Sequence, residues 1–361
     1  MQQLNVLANV SDSCPLSCSY CYAGEKSGEV MSDEVLARMV ELIQGRENVG
    51  STTYIWHGAE PLAVGKRFFE SVRREQSRFD HRVRNGMQSS GVLLTPSFAD
   101  VLVANEINLG LSLDGPNELH NQMRPFRTGG GSFDQVMRSI DLMRERGKKP
   151  GVIAVLTKMS LPYLDDMYDF FKSTGLNFKI SPILDCGFAE DKGTDLQLTL
   201  DERVQAITHL FDRWFFDEQD GHIIDYENMR TLTRAIFTKG GGSCDMMHNC
   251  QDAFISVEVN GDVYPCSRFG DFSYGNIFDV DSFEDILAYP LRQQVLGRFD
   301  GIPECVACEY NFLCYSGCMH NAYLVGDIMD KDPNCDANRR IYDHISERVL
   351  AELERDGAIG G

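Results

Sequence analysis

The chain has 361 residues, 43% of them hydrophobic and 24% charged, which is more than one average domain needs and enough to bury a large core. A formal net charge of −20 argues against the clustered Lys and Arg that phosphate backbones require, so no nucleic acid is expected as a partner. No apolar run is long enough to span a bilayer, and Met1-Gln2-Gln3-Leu4 has neither the basic nor the apolar region of a signal peptide. The expectation is a cytoplasmic protein with no membrane partner.

In chain order, apolar segments predict strands over Leu4–Val10, Thr52–Trp56, Arg82–Gln88, Asn108–Leu113, Gly151–Leu156 and Phe178–Ile183. Helical patterns run between them. One opens at Ser32, an N-cap serine followed by Asp33 and Glu34. Another, Ser132–Arg146, places Phe133, Val136, Met137 and Ile140 on one face. Such alternation predicts an α/β fold of βαβ units around a parallel sheet or partial barrel, with reactive groups at the carboxyl ends of the strands. Beyond Thr199 helical segments continue to about Phe237, and Lys239-Gly240-Gly241-Gly242-Ser243 marks a hinge. The expected domains are 1–238 and 239–361. In the second, Asn260-Gly261 between Phe254–Val259 and Asp262–Tyr264 predicts a β-hairpin that presents Cys266.

Twelve cysteines without an export signal point to metal binding in a reducing compartment. Three lie in Cys14-Pro15-Leu16-Ser17-Cys18-Ser19-Tyr20-Cys21, a C-x3-C-x2-C spacing just after the first strand. Three thiolates on one loop can hold three irons of a [4Fe–4S] cube and leave the fourth iron open to chelation by a small molecule. A zinc site normally wants four ligands. Eight more, Cys244, Cys250, Cys266, Cys305, Cys308, Cys314, Cys318 and Cys335, follow the hinge, and they suffice for two fully ligated cubes. The remaining Cys186 is either a buried thiol or a group facing the substrate.

The cysteine loop resembles that of the radical S-adenosyl-L-methionine (AdoMet) enzymes, and the later cysteines resemble their SPASM extension. The resemblance implies a partial (β/α)6 TIM-like barrel over 1–238 and a SPASM domain over 239–361, with three [4Fe–4S] clusters and AdoMet as cofactors. It assigns Cys14, Cys18 and Cys21 to the AdoMet cluster. It assigns Cys244, Cys250, Cys266 and Cys318 to one auxiliary cluster and Cys305, Cys308, Cys314 and Cys335 to the other. His57-Gly58-Ala59-Glu60-Pro61 resembles the Gly-Gly-Glu-Pro motif, whose backbone (Gly58) and glutamate (Glu60) bind the AdoMet amino group; Ala59 departs from it. Tyr20 takes the place of an aromatic over the adenine, Ser112 that of a ribose contact, and Arg124, in a His-x3-Arg pattern from His120, that of a carboxylate ligand. Ser90 stands where the family carries an asparagine. Leu184 either contacts adenine or belongs to the core.

Over the whole chain the likeness is to radical AdoMet/SPASM maturases of peptides and proteins, so the enzyme is expected to be an oxidoreductase. Its partners would be a precursor peptide and an external one-electron reductant of flavodoxin or ferredoxin type. Sulfatase maturases carry an aspartate just after the residue equivalent to Cys266, whereas this chain reads Cys266-Ser267-Arg268. On that ground the expected reaction is oxidative cross-linking of a ribosomally made peptide, a cyclophane or similar. The alternative is an anaerobic sulfatase-maturing enzyme making formylglycine from Cys or Ser. Because the first strand starts almost at once, no amino-terminal leader-binding domain is expected. Asp185, His57 and Arg268 are the candidate catalytic residues; His57 either faces substrate or cofactor or is a packed histidine.

Overall fold

The computed structural model describes residues 3–24, 27–46, 50–184, 186–187, 196–219, 221 and 224–355. Asp185 lies outside them. The chain forms two compact units, the first comprising Met1–Ile153, Cys186–Lys192 and Asn249–Leu296, the second Ala154–Asp185, Gly193–His248 and Gly297–Gly361.

In the first unit β1 (Leu4–Ser11), β2 (Thr52–Gly58), β3 (Val83–Ser89), β4 (Ile107–Ser112) and the start of β5 (Gly151–Leu156) pair in parallel, each with the next. Helices α1 (Asp33–Gln44), α2 (Lys66–Gln76), α3 (Pro96–Ala104), α4 (Asn117–Met123) and α5 (Phe133–Arg144) make the crossovers. Their starts are legible in the sequence. Ser32 caps α1 by accepting a hydrogen bond from Val35 N–H, and Thr95 does the same for Phe98 N–H, with Pro96 in the first turn of α3.

The hairpin of β7 (Phe254–Val257) and β8 (Val263–Tyr264) forms as expected, with Gly261 supplying the positive φ of its turn. Its place was not legible: β7 pairs in parallel with β1, so the sheet runs β5-β4-β3-β2-β1-β7-β8 in this unit. The first strand of the chain is thereby an interior strand.

The two faces of this sheet differ. Leu4, Val6, Ala8 and Val10, then Tyr54 and Trp56, then Ile107, Leu109 and Leu111 are buried. Tyr54 and Trp56 stack at 5.3 Å, and Trp56 meets Phe69 of α2 edge-on at 6.0 Å, which fixes that helix against β2. Towards the carboxyl ends of the strands the alternate residues are polar or small, Asn9, His57, Gln88, Gly110 and Ser112, whereas the paired Leu7 and Ile55 lie nearer the amino ends. Parallel strands covered on both faces read as continuous apolar runs, so this pattern marks a face reserved for something other than core.

The second unit holds the end of β5, α6 (Leu164–Thr174), β6 (Phe178–Pro182) and three longer helices, Leu200–Gln219, Glu227–Thr238 and Cys335–Arg355. Phe171, Phe178 and Tyr226 form a stack with centroids 4.8 and 4.5 Å apart. The last helix is tied to Leu200–Gln219 by His344 Nε2 and Asp212 Oδ1 at 2.8 Å. Among the described residues no helix is long and apolar enough to cross a membrane.

Candidate active site

The cysteine loop leaves β1 at its carboxyl end and is pinned along its length by the segment after α4. Ser17 N–H donates to Pro125 O, Ser19 N–H to Met123 O and Arg127 N–H to Pro15 O. Cys14, Cys18 and Cys21 are each half-buried on this loop. Burial pushes the Cys14 thiol up to about 12 and that of Cys18 to about 11, with Arg124 opposing the rise at Cys18. Desolvated thiolates of this kind need a cation, which the irons of a cluster would supply. Leu16 N–H points at Cys14 Sγ at 3.4 Å, a contact of the sort that tunes cluster sulfurs. The donor set fits a cube held by three thiolates.

Gly58 closes the end of β2 with φ +116°, and a Cβ there would collide with the Ser11 carbonyl oxygen. Two residues on, Glu60 is fully buried. Its Oε1 accepts from Leu62 N–H at 3.0 Å and Ser89 Oγ at 2.6 Å; its Oε2 accepts from Ser90 N–H at 2.9 Å and from Ser90 Oγ. Four donors occupy both oxygens, so this carboxylate ties β2 to β3, and any AdoMet ammonium would have to share an oxygen already engaged.

Arg124 is committed in a similar way. Its Nε donates to Asp114 Oδ2 at 2.9 Å and its Nη2 to Asp114 Oδ1 at 3.3 Å, a bidentate pair in a buried setting. Tyr20 O–H also donates to Asp114 Oδ2, and the guanidinium stacks 5.2 Å from the Tyr20 ring centroid. His120 accepts from Asp114 N–H at Nδ1 (3.2 Å) and donates from Nε2 to Ser132 Oγ (2.9 Å), which donates onward to Arg124 O (2.6 Å). Burial lowers His120 to about 4, which keeps the ring neutral. Asp114 was missed by the sequence reading, although it follows Ser112 by two residues at a strand end.

The polar face carries a row across the carboxyl ends of neighbouring strands. Asn9 pairs in register with His57, and Gln88 donates from Nε2 to Ser112 Oγ at 3.2 Å. Gly110 leaves room for it, since a Cβ there would meet Gln88 Oε1 at 2.5 Å. His57 Nδ1 lies 3.3 Å from Tyr22 Oη, and burial lowers the imidazole to about 4. Tyr22 is also hydrogen-bonded to Ser267 and lies in the field of Arg268, so two of the three candidate catalytic residues converge on one tyrosine. Gly187, at φ +61°, abuts the Cys21 and Tyr22 carbonyls and admits no side chain. Cys186 beside it is buried. Leu184 is half-buried beyond β6, in the second unit.

In the second unit Cys305, Cys308, Cys314 and Cys335 line one cavity together with Tyr310, Lys331 and Arg339. Burial pushes the Cys314 thiol up to about 12, with the Cys335 and Cys305 thiols acting in the same direction. Four thiols around one cavity fit a fully ligated cube. Cys250 and Cys266 belong to the first unit, Cys244 and Cys318 to the second.

Residues 8–171 match the Radical SAM superfamily model, and residues 244–309 match SPASM, an iron–sulfur cluster-binding domain. The chain is 28% identical to the cysteine-type anaerobic sulfatase-maturating enzyme of Clostridium perfringens, over 85% of this chain and 86% of that one. It is 27% identical to the serine-type enzyme of Bacteroides thetaiotaomicron, over 86% and 81% respectively. The solved structure of native anSMEcpe with bound AdoMet superposes with a TM-score of 0.87 at 25% identity, covering 98% of this chain and 99% of that one. These findings overturn the cross-linking expectation. It rested on one missing aspartate, whereas the likeness to sulfatase-maturating enzymes runs along nearly the whole chain; a proton acceptor can move to another strand while the fold and cofactor site stay in place.

Proposed function

From the premise that this chain is a radical SAM enzyme with a SPASM domain, an oxidoreductase acting on a peptide, we propose that it converts a Cys or Ser of a sulfatase-type substrate to formylglycine. The observation that carries this reading is the likeness to cysteine-type and serine-type sulfatase-maturating enzymes over more than four-fifths of the chain.

The cofactors are AdoMet and [4Fe–4S] clusters, three in number. AdoMet, when bound at the open iron and reduced, supplies a 5′-deoxyadenosyl radical able to take hydrogen from an unactivated carbon. In our assignment Cys14, Cys18 and Cys21 hold that cluster, and the end of β2 with Gly58, Glu60 and Ser90 frames the methionine portion. Arg124 orients Tyr20 through Asp114 and lends its charge to the AdoMet carboxylate; Tyr20, Ser112 and Leu184 receive the nucleoside. His57 and Tyr22 position the peptide side chain, with Arg268 near them, and Asp185 stays a candidate proton carrier. Residues 1–238 would carry the radical chemistry. In 239–361, Cys244, Cys250, Cys266 and Cys318, and separately Cys305, Cys308, Cys314 and Cys335, would hold the clusters that take electrons away. A flavodoxin or ferredoxin in the cytoplasm, away from the membrane, would supply the starting electron.

The test is direct. Anaerobically reconstituted protein, AdoMet, reductant and a sulfatase-derived Cys-x-Pro-x-Arg peptide should yield a hydrazine-reactive aldehyde in step with 5′-deoxyadenosine. Absence of aldehyde from both this peptide and its Ser counterpart would sink the reading.

A further inference from the structure

Making formylglycine from cysteine takes two hydrogens from one side chain. Once a hydrogen atom has left the β-carbon, the S–H proton and one electron must follow so that C–S becomes C=S; water then replaces sulfur and hydrogen sulfide leaves. An auxiliary [4Fe–4S] cluster held by the later cysteines would accept that electron, going from 2+ to 1+. The proton needs a base. Ser267 stands where the aspartate would be, and a hydroxyl is far too weak a base. Arg268 beside it is a fixed cation.

Resting on the formylglycine reading, we propose that Glu258 is the proton acceptor for the substrate heteroatom. The pairing of β1 with β7 ends at Ala8 and Val257, so Glu258 leaves the sheet beside Asn9, which pairs with His57. Asn9 Nδ2 donates to Glu258 Oε1 at 2.6 Å and Ser256 Oγ to the same oxygen at 3.0 Å, which fixes the carboxylate on the polar face. Its second oxygen, Oε2, has no hydrogen-bond partner among the described residues. Tyr22, the residue bonded to His57 and Ser267, lies in the field of the Glu258 carboxylate.

Burial raises the Glu258 carboxyl above its ordinary range; the bonds from Asn9 and Ser256 oppose this, and Asp12 and Asp262 add to it. A carboxylate shifted upward is better matched to a thiol proton than an ordinary one. His57 serves worse, because burial lowers its basicity and Tyr22 occupies Nδ1. Asp262 is engaged by Asn260 and Asn276 on the hairpin turn.

The experiment compares wild type, Glu258→Gln and Glu258→Asp, all reconstituted, with a peptide deuterated at the cysteine β-carbon. Glu258→Gln keeps an acceptor for Asn9 and Ser256, so iron content and AdoMet affinity should match wild type. Deuterium should still enter 5′-deoxyadenosine, while aldehyde formed per 5′-deoxyadenosine falls about 100-fold, the scale of a lost general base. Glu258→Asp should recover part of that ratio. An unchanged ratio in Glu258→Gln overturns the role of Glu258 and leaves the formylglycine reading intact. No aldehyde from wild type overturns both.

Discussion

At Gly58 two constraints meet that only glycine satisfies. Its φ of +116° is strained for any side chain, and the Ser11 carbonyl oxygen fills the space a Cβ would take. Gly65, at φ +89°, shares the first constraint but has open space around it. Gly65→Ala should therefore cost about 1 kcal/mol, and Gly58→Ala about 2–4 kcal/mol, because β1 and β2 must also part. Thermal unfolding of the two variants side by side measures the difference, and equal losses would show that the Ser11 contact is slack. The cysteine spacing was legible because cluster ligation needs particular atoms at short range along the chain. Glu258 and Asn9 were not, because their meeting depends on which strands become neighbours.

The segment from Asp114 to Ser132 works as one element. His120 clips its two ends together, and residues 123–127 in its middle hold the cysteine loop. The clip needs a neutral imidazole, since Nδ1 must accept from Asp114 N–H. The folded value of about 4 lies below the ordinary 6.5, so the unfolded chain binds the proton more readily. This contribution is complete above pH 6.5 and is lost as pH falls towards 4, up to about 3 kcal/mol. Urea midpoints between pH 7.5 and 5 should fall more steeply in wild type than in His120→Asn; parallel slopes would refute the clip. The strands themselves were legible to within a residue or two, Gly151–Leu156 in full, because apolar alternation is a local signal. The helix at Phe133–Arg144 buries Val136, Ser139, Ile140 and Met143, a face rotated from the expected one, since Phe133 and Met137 are only half-buried. The pairing of β7 with β1 leaves no local trace in the sequence.

For the molecule as a whole, the thiol inventory sets the iron content. Eleven cysteines in sets of three, four and four should give about twelve irons in the reconstituted protein. Changing Cys305, Cys308, Cys314 and Cys335 together to Ala should leave about eight, with AdoMet cleavage retained. Iron analysis and 5′-deoxyadenosine release check this, and loss of cleavage would mean that the cluster assigned to these four cysteines has a larger role than electron exit.

The seam between β1 and β7 also bears on how the chain is made. Asn9 and Glu258 are hydrogen-bonded across 249 residues of sequence. Until the hairpin is synthesised, β1 exposes a full row of unpaired N–H and C=O groups along one side, a template for any other extended chain. Closing so long a loop is slow, and the nascent protein spends that interval with its cysteine loop attached to an open edge. Yield in the cell should therefore depend on translation speed and chaperone supply more than the stability of the finished fold would suggest.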